Sequence, residues 1–141
     1  MFWRKKIKKP KKDDLTSLEK SILDYLISKL SKPQSVLLAE QLKYLNFIVR
    51  IEYNNDVVTE LYPEKYGLIP KELSFGRTEE FRLAYVKYRI GDVKYTSEIH
   101  MVMGQVFDLK IRPKPVKVDE LSIKFLEAKI ENELEKNTYK C

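Results

Sequence analysis

The sequence is poor in the residues from which catalytic and metal sites are most often built. Its 141 residues include one histidine, His100, and one cysteine, Cys141. Zinc sites need three or four Cys, His or carboxylate ligands at characteristic spacing, so we expect no metal site and no cofactor. A single cysteine excludes a disulfide within the chain, and this scarcity favours a reducing compartment, so we expect a cytoplasmic protein.

Glycine is equally scarce, and its positions exclude the common phosphate-binding loops. The four glycines occur singly, with no GxGxxG, GxxxxGK[ST] or GxSxG motif. No stretch approaches the roughly 20 apolar residues of a membrane span. The sequence therefore carries no catalytic signature, and it favours a binding protein over an enzyme.

The net charge of +6 comes from one end of the chain. Positions 4–12 hold seven Lys and Arg, and without them 20 basic residues remain against 21 acidic ones. We therefore predict a basic flexible tail at 1–12 joined to a single, nearly neutral domain at 13–141. Because DDLTSLEK follows in place of an apolar segment, the tail is not expected to be an export signal.

The tail has three remaining interpretations. It is a solubilising extension, an arm that neutralises nucleic-acid phosphates, or a peripheral contact with an anionic inner membrane surface. The residues that would make such contacts are Trp3, Arg4, Lys5, Lys6, Lys8, Lys9, Lys11 and Lys12.

Hydrophobic periodicity predicts an α+β fold. Apolar residues at three- and four-residue spacing predict a helix over 14–31, with Thr16 and Glu19 at capping-box spacing. The stretch 35–42 is ambiguous between helix and strand. Alternating residues predict a sheet of about five strands at 45–53, 57–62, 81–90, 93–103 and 106–112, with a long loop over 63–79. Residues from Asp119 onward predict a second helix, with Ile123, Leu126, Ile130 and Leu134 on one face.

These elements predict a two-layer domain, an antiparallel sheet packed against an N-terminal and a C-terminal helix. Their order resembles the general architecture of cystatin-like and NTF2-like domains. Such folds host enzymes, ligand binders and protein-binding modules alike, so the resemblance implies an architecture and no particular function.

The side of the sheet turned away from the helices is the predicted working surface. Period-two alternation assigns aromatic, Arg and mixed-charge residues to it, a composition suited to recognition of another protein. The residues that we expect to contact a partner are Tyr44, Arg50, Glu52, Glu98, His100, Lys110 and Arg112, with Asn46, Thr96 and Asp108 on the same face. Carboxylates on this face would repel phosphates, which disfavours RNA as the partner.

Three hypotheses of function follow. The first is a non-enzymatic intracellular protein-binding module, an adaptor or a neutralising partner protein, that uses the open face of the sheet. The second is a small-ligand binder or enzyme with a site around His100, Glu98 and Tyr95. The third is association with nucleic acid or an anionic membrane through the tail.

Overall fold

The computed structural model describes residues 11–12, 15–63, 69–115 and 122–131. Two helices, α1 (Ser17–Lys29) and α2 (Lys32–Leu42), precede the main strands. The strands are β1 (Lys11–Lys12), β2 (Phe47–Glu52), β3 (Val57–Tyr62), β4 (Phe81–Ile90), β5 (Val93–Val102), β6 (Gln105–Arg112) and β7 (Ile123–Ile130). The α+β class is thus confirmed, with six longer strands and one two-residue strand in place of about five.

All seven strands join one antiparallel sheet in the order β1-β2-β3-β6-β5-β4-β7. The chain makes a β2–β3 hairpin, then a β4–β5–β6 meander whose last strand pairs with β3. A turn at Gly91 joins β4 to β5, and Gly91 has the positive φ (60°) that this turn requires. The sheet is therefore two antiparallel blocks joined along the β3–β6 pair.

Helix α1 begins and packs as its sequence predicts. Thr16 and Glu19 form a reciprocal capping box, in which each side chain accepts a hydrogen bond from the other residue's backbone N–H. Leu18, Ile22 and Leu26 recur on the face that packs on the sheet, and all three are buried in the core. This helix therefore defines which side of the sheet is covered.

The ambiguous stretch 35–42 belongs to a helix. Pro33 lies in the first turn of α2, where the missing N–H is tolerated. The buried residues of α2 are Gln34, Leu38 and Gln41, which follow helical spacing. Because two of the three are polar, the hydrophobic pattern alone gave no clear period.

The predicted C-terminal helix is wrong over Ile123–Ile130, which forms the edge strand β7 beside β4. A bulge lies in this pairing, since Phe125 is opposite Tyr88 while Glu127 is opposite Lys87. One extra residue in an alternating pattern produces apolar spacings of three and four, which imitate a helix. Residues 119–121 and Leu134 of that prediction lie outside the described ranges. The order of elements on which the resemblance to cystatin-like and NTF2-like domains rested is therefore not the one observed.

The tail and the loop are described only in part. Lys11 and Lys12 pair with Ile48 and Phe47 at the edge of the sheet, while 1–10 lie outside the described residues, as does Cys141. In the loop 63–79, a short 3₁₀ helix spans Lys71–Leu73, and 64–68 are outside the description. Within the described ranges, neither helix has the length and apolarity needed to cross a membrane.

Candidate functional site on the open sheet face

The side of the sheet turned away from α1 and α2, here called the open face, carries a connected set of charged side chains. Its centre is Glu98 of β5, whose carboxylate lies 3.2 Å from Arg112 Nη2, 3.5 Å from Arg82 Nη1 and 3.6 Å from His100 Nε2. Arg82 also makes a two-pronged ion pair with Glu131, with its shorter bond at 2.6 Å. These groups come from β4, β5, β6 and the end of β7, so the sheet holds them in fixed register.

Alternation along β5 puts Glu98 and His100 on this face. Ile99 and Met101, their immediate neighbours, are fully buried on the side of the helices. Two further members of the predicted set, Thr96 and Asp108, lie on the open face opposite Arg112 and His100 respectively. The sequence therefore identified the central part of this surface correctly.

His100 is held between two carboxylates. Its Nδ1 lies 2.8 Å from Asp108 Oδ1, directly across the β5–β6 pair, and its Nε2 faces Glu98. The hydrogen bond to Asp108 raises the pKa of His100, partial burial opposes the rise, and the charges of Asp108 and Glu98 add to it. The two carboxylates thus stabilise the protonated form of the imidazole, and His100 is part of an ion-pair cluster on the open face.

Tyr85 is the aromatic residue that β4 contributes to the open face. The cationic groups of Arg82, Lys87 and Lys129 lie 5.3, 5.6 and 5.9 Å from the centre of its ring. Tyr88 and Tyr95 are buried on the helix side and stack on each other. Tyr95 is consequently separated by the sheet from His100 and Glu98, with which it had been grouped as a ligand site.

The assignment of Arg50 and Glu52 to the open face is wrong. Arg50 points to the helix side and pairs with Glu19 of α1 through bonds of 2.9 and 2.6 Å. Glu52, two residues further on the same side, pairs with Lys114 at 3.1 Å. Strand β2 has apolar residues at Phe47, Val49 and Ile51, which the sequence places inside, but Ile48 is the residue of β2 in the core cluster. The prediction that residues of β2 alternate between two sides was correct, but the two sides were exchanged.

The remaining predicted residues have mixed positions. Lys110 and Arg112 lie on the open face of β6, opposite Glu98 and Thr96. Tyr44 lies in the turn after α2 and is exposed, while Asn46 precedes β2 and is half-buried. Met103, the last residue of the strand predicted at 93–103, is an exposed turn residue with a φ of 56°. The structure therefore separates Tyr44 and Asn46 from six predicted residues that it groups on the open face: Thr96, Glu98, His100, Asp108, Lys110 and Arg112.

Two surface cavities lie away from the charged network. One, of about 340 Å³, lies beside the first turn of α1 and is lined by Arg50, Glu52 and Lys114 among others. The other, of about 500 Å³, lies between the loop at Ile69–Ser74 and the end of the β5–β6 hairpin near Met103. Neither is lined by His100 or Glu98. Among the residues that the structure describes, no three His, Cys, Asp or Glu side chains are grouped closely enough for a metal ion.

The sequence missed two members of the network. Arg82 begins β4 beside Phe81, and a bulge between Arg82 and Ala84 shifts the alternation, so simple counting from the apolar residues of β4 fails there. Glu131 directly follows β7, in the segment for which the sequence predicted a helix. If residues 123–130 had been predicted as a strand, Glu131 would have been expected at the end of that strand.

Comparisons with models of protein families, with curated proteins and with solved structures found no match to this chain.

Proposed function

We propose that this protein is a non-enzymatic protein-binding module that recognises its partner through the open face of the sheet. The observation that supports this most directly is the network around Glu98, where one carboxylate contacts Arg82, His100 and Arg112. Paired charges on a sheet are held in place before binding, so a partner need not immobilise flexible side chains. Polar and charged contacts of this kind favour specificity and correct orientation.

The β7 edge of the sheet is a less suitable binding surface than the face. The described β7 pairs with β4 alone, and it has a bulge at Leu126 and two lysines, Lys124 and Lys129. Bulges and lysines are common devices that keep an edge strand from pairing with another chain. A partner that used the face would avoid both obstacles.

The proposal includes an intracellular, cytoplasmic setting, in which the protein acts as an adaptor or neutralises its partner. One cysteine in the whole chain suits a reducing compartment. The basic segment at 4–12 would increase the rate at which the protein meets acidic surfaces, including a membrane leaflet. It would not determine which partner is bound.

The test is affinity capture from the cells that make the protein, followed by reconstitution with the purified partner. Three forms of the full chain are compared: wild type, the double variant His100→Gln with Arg112→Gln, and the control Lys20→Gln with Lys43→Gln. Both control lysines are exposed, one on α1 and one just after α2. We expect a specific partner to be lost by the face variant and retained by the control.

The reconstituted complex must then show the same pattern. We expect binding to weaken about tenfold in the face variant, as loss of interfacial charge contacts implies. Binding is measured well below the melting temperature of every variant, because loss of the His100–Asp108 contact also lowers stability. Hydrogen exchange should slow in β4–β6 in the complex. Equal loss in both variants, or protection confined to α1 and α2, would show that the open face is not the binding surface.

A further inference from the structure

Three cations lie side by side across three strands at one end of the open face. Arg89 of β4 is directly opposite Lys94 of β5 on one side and directly opposite Lys124 of β7 on the other. Their neighbours Tyr88, Ile90 and Tyr95 are buried on the helix side, which places all three cations on the open face. We name these residues, Lys94, Arg89 and Lys124, the cation row.

The cation row differs from the other rows of the same face. In the next row, Lys87 is opposite Glu127, with 3.9 Å between their charged groups, and further along Tyr85 is opposite Glu98 and His100 is opposite Asp108. Within the part of the chain that the structure describes, no carboxylate lies within ion-pair distance of Lys94, Arg89 or Lys124. The row is thus a block of three adjacent positive charges at the margin of the face, whereas the rows through Glu98 and His100 each include a carboxylate.

Like charges directly opposite each other on a sheet destabilise it. Among the described residues no ion pair offsets this repulsion, so the cation row costs stability in the free protein. An anionic ligand that bridges the row would remove this repulsion. Its binding would therefore raise the stability of the folded protein.

We propose that the cation row binds a cluster of carboxylates on the partner protein, so that the partner of the open face is an acidic one. This inference rests on the proposed function and specifies the chemistry of its partner. The row would then steer an acidic segment onto the end of the face, while the network around Glu98 fixes the orientation of the complex.

Acidic protein is favoured over nucleic acid by the rest of the face. A single-stranded nucleic acid needs aromatic rings on which its bases stack, but Tyr85 already has three cationic groups close to its ring. A phosphodiester chain that left the row along the strands would also meet Glu98 and Asp108. A folded partner can place its carboxylates at the row and basic or neutral groups beyond it.

The test uses two anionic probes, a labelled oligoglutamate peptide and a labelled oligothymidylate of equal charge, at about 50 mM and about 200 mM salt. Full-length wild type is compared with the row variant Arg89→Gln, Lys94→Gln, Lys124→Gln. The matched control is Lys20→Gln, Lys32→Gln, Lys71→Gln, which makes the same change in net charge at exposed positions elsewhere. Binding is followed by anisotropy and is located by backbone amide shifts in NMR spectra.

We expect oligoglutamate to shift the amides of Lys87–Lys94 and Lys124–Lys129 and to bind about tenfold more weakly to the row variant, as loss of three exposed ion pairs implies. The control should change by less than about twofold. The free row variant should also melt at a higher temperature than wild type, because its repulsion is gone. A merely solvated set of lysines would show neither the localised shifts nor the gain in stability.

Three results would overturn the inference: tighter binding of oligothymidylate than of oligoglutamate, shifts confined to residues 1–12, or equal weakening in both triple variants. Its failure is distinct from failure of the proposed function. If the row is inert but the His100 and Arg112 variants still lose the captured partner, the open face binds a partner of another chemistry. If oligoglutamate binds the row but the captured partner is indifferent to the face, the proposed function fails.

Discussion

Arg50 of β2 and Glu19 of α1 form a two-pronged ion pair that ties the first helix to the sheet. Glu19 also accepts a hydrogen bond from the Thr59 hydroxyl at 2.7 Å and one from the Thr16 backbone N–H at 2.8 Å. One buried carboxylate, with a side chain 3% exposed, thus joins the helix cap to two strands.

Loss of Glu19 is expected to be among the most damaging single changes in the described structure. Glu19→Ala leaves the guanidinium of Arg50 without this partner, and breaking a buried pair in this way costs about 3–5 kcal/mol. Urea unfolding measures the loss. Glu40→Ala, which removes the exposed ion pair with Lys43, is the control and should change stability little. A similar loss in the two variants would mean that the Glu19–Arg50 pair contributes no more than a surface pair.

The same carboxylate predicts sensitivity to acid. Burial alone would raise the pKa of Glu19, but hydrogen bonds from Arg50, Thr59 and Thr16 outweigh it, so the pKa is lowered from 4.5. A lowered pKa contributes stability above pH 4.5 that is lost as the pH falls through the folded-state value. Unfolding free energy measured from pH 6 downward should therefore fall less steeply in Glu19→Gln. An unchanged slope would remove Glu19 as the cause.

His100 predicts the opposite dependence on pH. Its pKa is raised above 6.5, chiefly by the hydrogen bond to Asp108, so its contribution to stability is full below pH 6.5 and is lost as the pH rises through the folded-state value. Because His100 is the single histidine, its ring signals in an NMR titration need no assignment. The midpoint should lie above 6.5 and move down in Asp108→Asn. The same midpoint in wild type and in Asp108→Asn would show that Asp108 does not raise the pKa of His100.

Periodicity predicted most of this fold, because alternation and helical spacing report burial directly. Strands β3 and β4 have the predicted bounds, and Thr16 and Glu19 form the predicted cap. The predictions failed where one apolar pattern is compatible with two structures. Residues 123–130 have helical spacing because a bulge adds one residue to an alternating strand. Strand β2 has apolar residues on both faces, so its local pattern does not show which face is turned to the helices. The ion pair of Arg50 with Glu19 of α1 shows it, and that contact is long-range.

The candidate site was predictable in its centre and not at its margins. Glu98 and His100 alternate with fully buried residues, so the pattern of β5 alone was sufficient. The cation row required the register of β4 with both β5 and β7, which is long-range information. Outside the candidate site, the role of Gln41 also depended on long-range contacts: its amide joins α2 to Leu73, Gly104 and Val106, partners 32 to 65 residues away in sequence.

Two hydroxyl groups are paired in the core, and the effects of removing them on the free energy of unfolding should not add. Tyr88 and Ser97 are both fully buried, and their oxygens lie 2.8 Å apart. Either Tyr88→Phe or Ser97→Ala leaves a buried polar group without this partner, at a cost of about 1–3 kcal/mol, whereas the double variant removes both. A double-mutant cycle by urea unfolding should show coupling of about 1 kcal/mol. Tyr85→Phe on the open face is the control, and full additivity would contradict the prediction.

The turn at Gly104 should tolerate no side chain, unlike the turn at Gly91. Both residues have positive φ, 80° and 60°, so alanine at either position carries about 1–2 kcal/mol of backbone strain. A Cβ at Gly91 would meet nothing within 4 Å, whereas at Gly104 it would collide with Ser74 Oγ and the Phe75 carbonyl oxygen. Gly104→Ala should therefore cost about 1–3 kcal/mol more than Gly91→Ala, as overpacking does.

This difference should also be local. The Gly104 carbonyl accepts hydrogen bonds from the Phe75 backbone N–H at 2.8 Å and from Gln41 Nε2 at 2.9 Å, so a displaced Gly104 would release the loop around Phe75 from the β5–β6 turn. Hydrogen exchange at the Phe75 amide should accelerate in Gly104→Ala and stay at the wild-type rate in Gly91→Ala. Equal destabilisation of the two variants, with Phe75 still protected, would mean that backbone strain alone accounts for the cost and that Gly104 does not anchor the loop.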